Sequence, residues 1–203
     1  MISIVDYGGA NLGSILNMLR RVEVPAELVS TPAALERAQK IILPGVGAFD
    51  HGMTALRERG LIAPLRAKAL EERVPILGVC LGMQMLGHGS EEGTLAGLGL
   101  LDGHCERFRF APASRRKIPH MGWSLLAPQR ESALLQGLDA QSRFYFVHSY
   151  HLVCEVAADV LAVAQYDREF VAMVQRDNIC GAQFHPEKSH RFGMRLLHNF
   201  ASL

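Results

Sequence analysis

Residues 78–82 read Gly-Val-Cys-Leu-Gly, directly after the apolar run Val74-Pro75-Ile76-Leu77. This is the cysteine form of the G-x-S-x-G nucleophile elbow, in which a buried strand ends, the chain turns sharply and one reactive side chain is lifted at the start of a helix. Glycine on either side of the turn removes the Cβ atoms that would obstruct it. The helix expected over Leu81–Leu86 aims backbone N–H groups at the thiol of Cys80, an environment that supports a thiolate nucleophile. The plain alternative is a small cysteine packed between a strand and a helix, since free cysteine is among the most buried residue types.

A cysteine nucleophile needs a base and a group to orient the base. Gln183-Phe184-His185-Pro186-Glu187 offers both. In an extended segment, residues two apart point the same way, so His185 and Glu187 are expected side by side. The acid follows the histidine directly instead of lying on a separate, earlier strand, which departs from the usual order of elbow enzymes. Pro44-Gly45-Val46-Gly47 could supply one backbone donor of an oxyanion hole, and the N–H of Leu81 the other. Taken singly, each segment has an ordinary reading: a strand-end histidine, a solvated carboxylate, a glycine-rich turn. Taken with Cys80, they describe one site.

The elements that must position these residues follow from the hydrophobic pattern. Ile2–Val5 reads as a strand, and Asn11–Arg21 as a helix with Leu12, Ile15, Leu16 and Leu19 on one face. Ala26–Val29 is a second strand, and Thr31-Pro32 caps and opens a helix. Ile41–Leu43 is a third strand, followed by helices over Asp50–Glu58 and Leu61–Arg73 and the strand that runs into Cys80. This alternation predicts a mostly parallel sheet flanked by helices. The second half carries shorter, partly antiparallel strands: Gly103–Phe110, Gly122–Leu126, Arg143–Ser149, Val160–Gln165 and Glu169–Gln175. A last apolar strand at Ile179–Phe184 and a helix over Phe192–Phe200 close the chain. In open α/β sheets ligands bind beyond the carboxyl ends of the strands. Pro44–Gly47, Gly78–Gly82 and Phe184–Glu187 all lie at such ends.

Composition narrows the classes. The chain has 203 residues, is 49% hydrophobic and carries a formal net charge of +1, which suits one α/β domain over 1–203 and gives no broad basic surface for nucleic acid. No apolar run approaches the length of a membrane span, and Met1–Asp6 looks like a first strand instead of a signal peptide. Cys80, Cys105, Cys154 and Cys180 are scattered, with no spacing suited to zinc, so a reduced cytoplasmic protein without metal is expected. Tyr7-Gly8-Gly9-Ala10-Asn11-Leu12-Gly13 does not match the dinucleotide fingerprint, and no cofactor is expected. Arg107, Arg109, Arg115, Arg116 and Lys117 read as a solvated basic stretch, and Met83, Met85 and Met121 as packing.

Together these motifs resemble the class I glutamine amidotransferases, and among them the glutaminase subunits of imidazole glycerol phosphate synthase. The resemblance runs along essentially the whole chain. Gly78–Gln84 and Gly181–Ser189 carry the superfamily pattern; Pro119-His120-Met121-Gly122-Trp123 and Tyr145-Phe146-Val147-His148-Ser149-Tyr150 carry the narrower one, with Asp6–Leu12, Leu43–Gly47 and Ser90-Glu91-Glu92 in support. Ser124 departs from it, because asparagine is expected after the tryptophan.

The resemblance implies that Cys80 attacks the side-chain amide of glutamine, His185 moves the proton and Glu187 orients it. It also implies an oxyanion hole from the N–H groups of Gly47 and Leu81, and glutamine-binding positions at Gln84, Glu92, His148, Ser149 and Tyr150. The implied partner is a (β/α)8-barrel cyclase in a heterodimer, which receives the ammonia. Three other readings stay open at this point: a sibling amidotransferase serving another acceptor, a thiol hydrolase acting alone, and a catalytically silent binding subunit.

Overall fold

The computed structural model describes residues 1–203. Its centre is an eight-stranded sheet in the order β2-β1-β3-β4-β12-β11-β10-β7. The parallel part is built from β1 (Ile2–Val5), β2 (Ala26–Val29), β3 (Ile41–Gly45), β4 (Ile76–Cys80) and β12 (Ile179–Ala182). The antiparallel edge is β11 (Arg168–Arg176), β10 (Val160–Tyr166) and the short β7 (Ala127–Pro128). Two further antiparallel ladders lie outside this sheet: β5 (Gly103–Arg107) with β9 (Tyr150–Cys154), and β6 (His120–Leu125) with β8 (Arg143–His148).

The helices are α1 (Leu12–Arg21), α2 (Pro32–Glu36), α3 (Phe49–Glu58), α4 (Ile62–Leu70), α5 (Leu81–Met85) and α6 (His190–Ser202). Thr31 caps α2, accepting from the N–H of Ala34 through its hydroxyl, with Pro32 in the first turn where no donor is needed. No helix is long and apolar enough to cross a membrane.

Every residue of β1, β3, β4 and β12 is buried, as expected for strands covered on both faces. Strand alternation divides their side chains between two cores. Ile2, Ile4, Ile42, Leu77, Val79, Cys180 and Ala182 join the first, under α1 and α6, while Val5, Ile41, Leu43, Ile76 and Ile179 join the second, under α3 and α4. Each fully buried aliphatic or aromatic side chain contributes about 1.5–3 kcal/mol by leaving water.

The strand order decides where chemistry can occur. β4 lies between β3 and β12, so the three carboxyl ends that carry Gly45, Cys80 and the approach to His185 are immediate neighbours. Phe144 on β8 stacks on Phe184 with ring centroids 4.0 Å apart, pinning the segment between β12 and His185. Phe144→Ala is therefore expected to cost about 3–5 kcal/mol in a urea titration. A loss below about 1 kcal/mol would show that this stack does not hold the segment.

Candidate active site

The elbow predicted at Gly78–Gly82 is present. β4 ends at Cys80 and α5 begins at Leu81, with no residue between them. Cys80 holds φ 53° and ψ −112°, a conformation that costs a non-glycine residue about 1–3 kcal/mol and persists only where its surroundings impose it. The imposing contact is a close backbone crossing: a Cβ at Gly82 would overlap the Leu43 carbonyl of β3. Cys80 is buried, with its sulfur at the wall of a cavity of about 420 Å³.

That cavity brings together Val46, Gly47, Cys80, Leu81, Gln84, Glu92, Pro119, Val147, His148, Ser149, Tyr150, His185 and Lys188. Every position expected from the sequence lies on its wall except Glu187, which stands behind His185. The Nδ1–H of His185 donates to Glu187 Oε1 at 2.8 Å, with both side chains almost wholly buried. One part of the sequence reasoning is corrected here. His185 and Glu187 were expected on one face of an extended segment, but Pro186–Lys188 form a 3-10 turn. Proline suits the first position of such a turn, and the turn swings Glu187 back onto the imidazole.

The Nε2 of His185 is buried without a well-formed hydrogen bond, beside Cys80. Burial alone would lower the pKa of this histidine. The neighbouring Cys80 sulfur and the Glu187 carboxylate outweigh burial and push it up to about 9. An imidazole in this setting can take a proton from the thiol and hold it as an imidazolium stabilised by Glu187. Beneath the elbow, Tyr7 packs its hydroxyl against Gly45, and burial followed by the Cys80 charge raises its pKa well above the ordinary phenol value, so it stays protonated.

The remaining wall is set by hydrogen bonds among buried side chains and by carboxylates that tie loop backbone in place. Gln84 donates from Nε2 to the Tyr150 carbonyl at 2.9 Å and to Gln183 Oε1 at 3.0 Å. Its amide donors are thus spent, and only Oε1 remains for a ligand. Glu92 accepts the Phe49 N–H on Oε2 at 2.9 Å, which ties the loop carrying it to the first turn of α3. Asp50 completes the tie by accepting from the N–H groups of Thr94 and Leu95. Those backbone bonds hold its carboxyl below the ordinary range. The Pro44–Gly47 turn is held from outside the cavity, where the Val46 N–H donates to the Gly9 carbonyl at 2.8 Å. Gly47 has φ 94°, which only glycine adopts without strain.

Gln183 is the residue that the sequence reasoning overlooked. It is fully buried, and its Nε2 lies 3.9 Å from Cys80 Sγ. The signal was its place two residues before His185, on the same side of the strand extension. The glycine-rich turn after β1 also has a place here, since Gly9 anchors Val46.

A family model for class-I glutamine amidotransferases matches residues 3–202. The chain belongs to this family. It is 50% identical over the full length of both proteins to imidazole glycerol phosphate synthase subunit HisH 2 of Pseudomonas aeruginosa. It is 48% identical to the subunit HisH 2 of Methanococcus maripaludis, over 98% of each chain. Among solved structures, a glutamine amidotransferase aligns over the whole of both chains with a TM-score of 0.73 at 21% identity. PurLQS from Thermotoga maritima aligns with a TM-score of 0.74 at 21% identity, covering 99% of this chain and 97% of the other. These two likenesses confirm the expected α/β amidotransferase fold. The chain is thus a glutamine amidotransferase, and its cavity is the place to look for that enzyme's chemistry.

The electrostatics of this amidotransferase's His185 are directly testable. Removing the anion that stabilises the imidazolium must lower the pKa. In Glu187→Gln, nitrogen-15 NMR titration is expected to show the His185 pKa lowered from its value in the unsubstituted protein, because the Cys80 sulfur alone is then left to oppose burial. An unchanged titration would contradict the assigned cause.

Proposed function

We propose that the chain is the glutaminase subunit of an imidazole glycerol phosphate synthase, acting in histidine biosynthesis. The observation that carries this reading is the convergence of Cys80, His185 and the free acceptor oxygens of Gln84 and Glu92 on one cavity. The full-length similarity to HisH subunits supports the choice of synthase.

The chemistry runs as follows. Gln84 Oε1 and Glu92 Oε1 accept from the α-ammonium group of glutamine, and backbone groups along His148–Tyr150 meet its carboxylate. The thiol of Cys80 gives its proton to His185 Nε2, and the sulfur attacks the side-chain amide carbon. The oxyanion that forms is held by the N–H groups of Leu81 and Gly47. His185 returns the proton to the departing nitrogen, and ammonia leaves behind a γ-glutamyl thioester. Water, deprotonated by the same imidazole, cleaves the thioester to glutamate and restores the thiol. Glu187 orients the imidazole throughout and steadies its charged form. No cofactor or metal enters any step.

Ammonia is mostly protonated at neutral pH, and ammonium has no lone pair for attack. Delivery without release to water therefore favours a second subunit over the cavity mouth. We assign that role to a (β/α)8-barrel cyclase in a heterodimer. There ammonia and a phosphoribulosyl-formimino carboxamide ribotide yield imidazole glycerol phosphate and aminoimidazole carboxamide ribotide. Val46 on the cavity wall, and Met121, Trp123 and Leu125 projecting from β6, are 44%, 62%, 43% and 50% exposed, apolar surface suited to a protein partner. The four free cysteines fit a reducing compartment such as the cytoplasm.

The partner also supplies a reason for the Val46–Gly9 bond. With Val46 tied outward, the turn is held in one setting. A rotation of the Gly47 peptide on docking, open to glycine at its positive φ, completes the oxyanion hole, a donor worth about 100–1000-fold in rate. Glutamine hydrolysis by the isolated chain is accordingly expected to run at least about 100-fold slower than in the complex with ligand on the cyclase. Equal rates would refute the coupling. Glutamine-dependent ring closure with another synthase's acceptor, and none with the cyclase, would refute the assigned pathway.

A further inference from the structure

Strand β6 alternates in exposure along its length. Met121, Trp123 and Leu125 face outward, and His120, Gly122 and Ser124 lie on the more protected side. His120 is 1% exposed, with its ring stacked on Tyr166 at 4.0 Å and on Phe146 at 5.0 Å. A hydrogen-bonded chain passes through it. Ser124 Oγ lies 3.1 Å from His120 Nε2, His120 Nδ1 lies 3.1 Å from His148 Nε2, and His148 Nδ1 lies 2.8 Å from the Tyr150 carbonyl oxygen.

One end fixes the polarity of the whole chain. A carbonyl only accepts, so His148 Nδ1 must carry a proton. Burial keeps both rings neutral, pushing His148 down to about 3 and His120 to about 4. His148 Nε2 is then an acceptor, His120 Nδ1 its donor, and His120 Nε2 an acceptor that takes the Ser124 hydroxyl proton. At the far end the same Tyr150 carbonyl receives Gln84 Nε2, which also bonds Gln183, and Gln183 reaches Cys80. Ser124 and His120 do not touch the cavity, whereas His148, Tyr150 and Gln84 form its wall.

We propose that Ser124 and His120 are positioning residues for glutamine: acting through His148, they lock the Tyr150 carbonyl and with it the Gln84 amide in the orientation that leaves Gln84 Oε1 open to the substrate's ammonium group. The kinetic half of this inference rests on the glutamine reading of the cavity; the tautomer half does not. Reversal of either ring's tautomer would set donor against donor or leave a buried acceptor empty, so the chain has one consistent arrangement.

Two measurements on the full-length protein test it. Long-range proton–nitrogen-15 NMR at pH 7 is expected to find His120 and His148 both neutral and protonated on Nδ1; an Nε2–H tautomer or a charged ring at either position overturns the chain. In steady-state glutaminase assays with the cyclase partner, Ser124→Ala is expected to raise KM for glutamine about five- to tenfold while kcat changes less than about twofold. Ser124→Thr, which keeps the hydroxyl, is expected to restore KM. An unchanged KM in Ser124→Ala, or a fall confined to kcat, overturns the positioning role. If the unsubstituted protein turned over no glutamine, the substrate reading would fail, and the tautomers would still decide whether the chain exists.

Discussion

The one-residue reversal at Cys80 is the constraint on which the rest of the structure depends. A strand that ends and a helix that begins at adjacent residues force a positive φ on a side chain that resists it. That conformation survives because β4 is clamped between β3 and β12 and because α5 crosses β3 closely enough to demand glycine at position 82. The cost of the strain, about 1–3 kcal/mol, is small beside the burial of the strands on either side. The same clamp delivers the Pro44–Gly47 turn and the His185 segment, because both leave the strands that hold it. Strain at the sulfur and convergence of its partners thus have a single cause.

Around the sulfur the polar side chains are arranged by mutual saturation. Gln84 spends its amide donors on Tyr150 and Gln183, Glu92 spends one oxygen on Phe49, and His185 spends Nδ1 on Glu187. Each of these side chains keeps one atom outside those bonds, and all three residues line the cavity. Such a network pairs most of its buried polar atoms and leaves His185 Nε2, Glu187 Oε2 and the Tyr7 hydroxyl without a partner. Its charge balance is local. The Cys80 sulfur on one side and the shielded Glu187 carboxylate on the other favour the imidazolium inside a site that burial would otherwise keep neutral.

The framework was legible wherever local pattern and tertiary partner agreed. Ile2–Val5 and Ala26–Val29 match the observed strands, since each is a short segment bounded by turns and the two pair in register. Thr31-Pro32 marked a helix start for the same reason. The misses fall where the chain changes partners. A single strand expected to stop at Ser149 is β8 followed at once by β9, because the chain leaves its ladder with β6 after His148 and joins β5 at Tyr150. Nothing in the side-chain alternation records that exchange. Likewise the last strand, expected through Phe184, stops at Ala182, where the chain peels away to bury Gln183 and carry His185 to the cavity. That these residues converge on one cavity was readable from strand-end position. The hydrogen bonds that spend the donors of Gln84 and tie Val46 to Gly9 were not, because they join segments far apart in sequence.

The central claim is that Cys80, activated by His185, reacts with the side-chain amide carbon of glutamine. Incubation with a glutamine analogue bearing an electrophilic side chain, followed by mass spectrometry of the digested chain, tests it most directly. The account predicts a covalent adduct on Cys80 alone, suppressed by excess glutamine and lost in His185→Asn. An adduct on Cys105, Cys154 or Cys180, or undiminished labelling of Cys80 without His185, would contradict it.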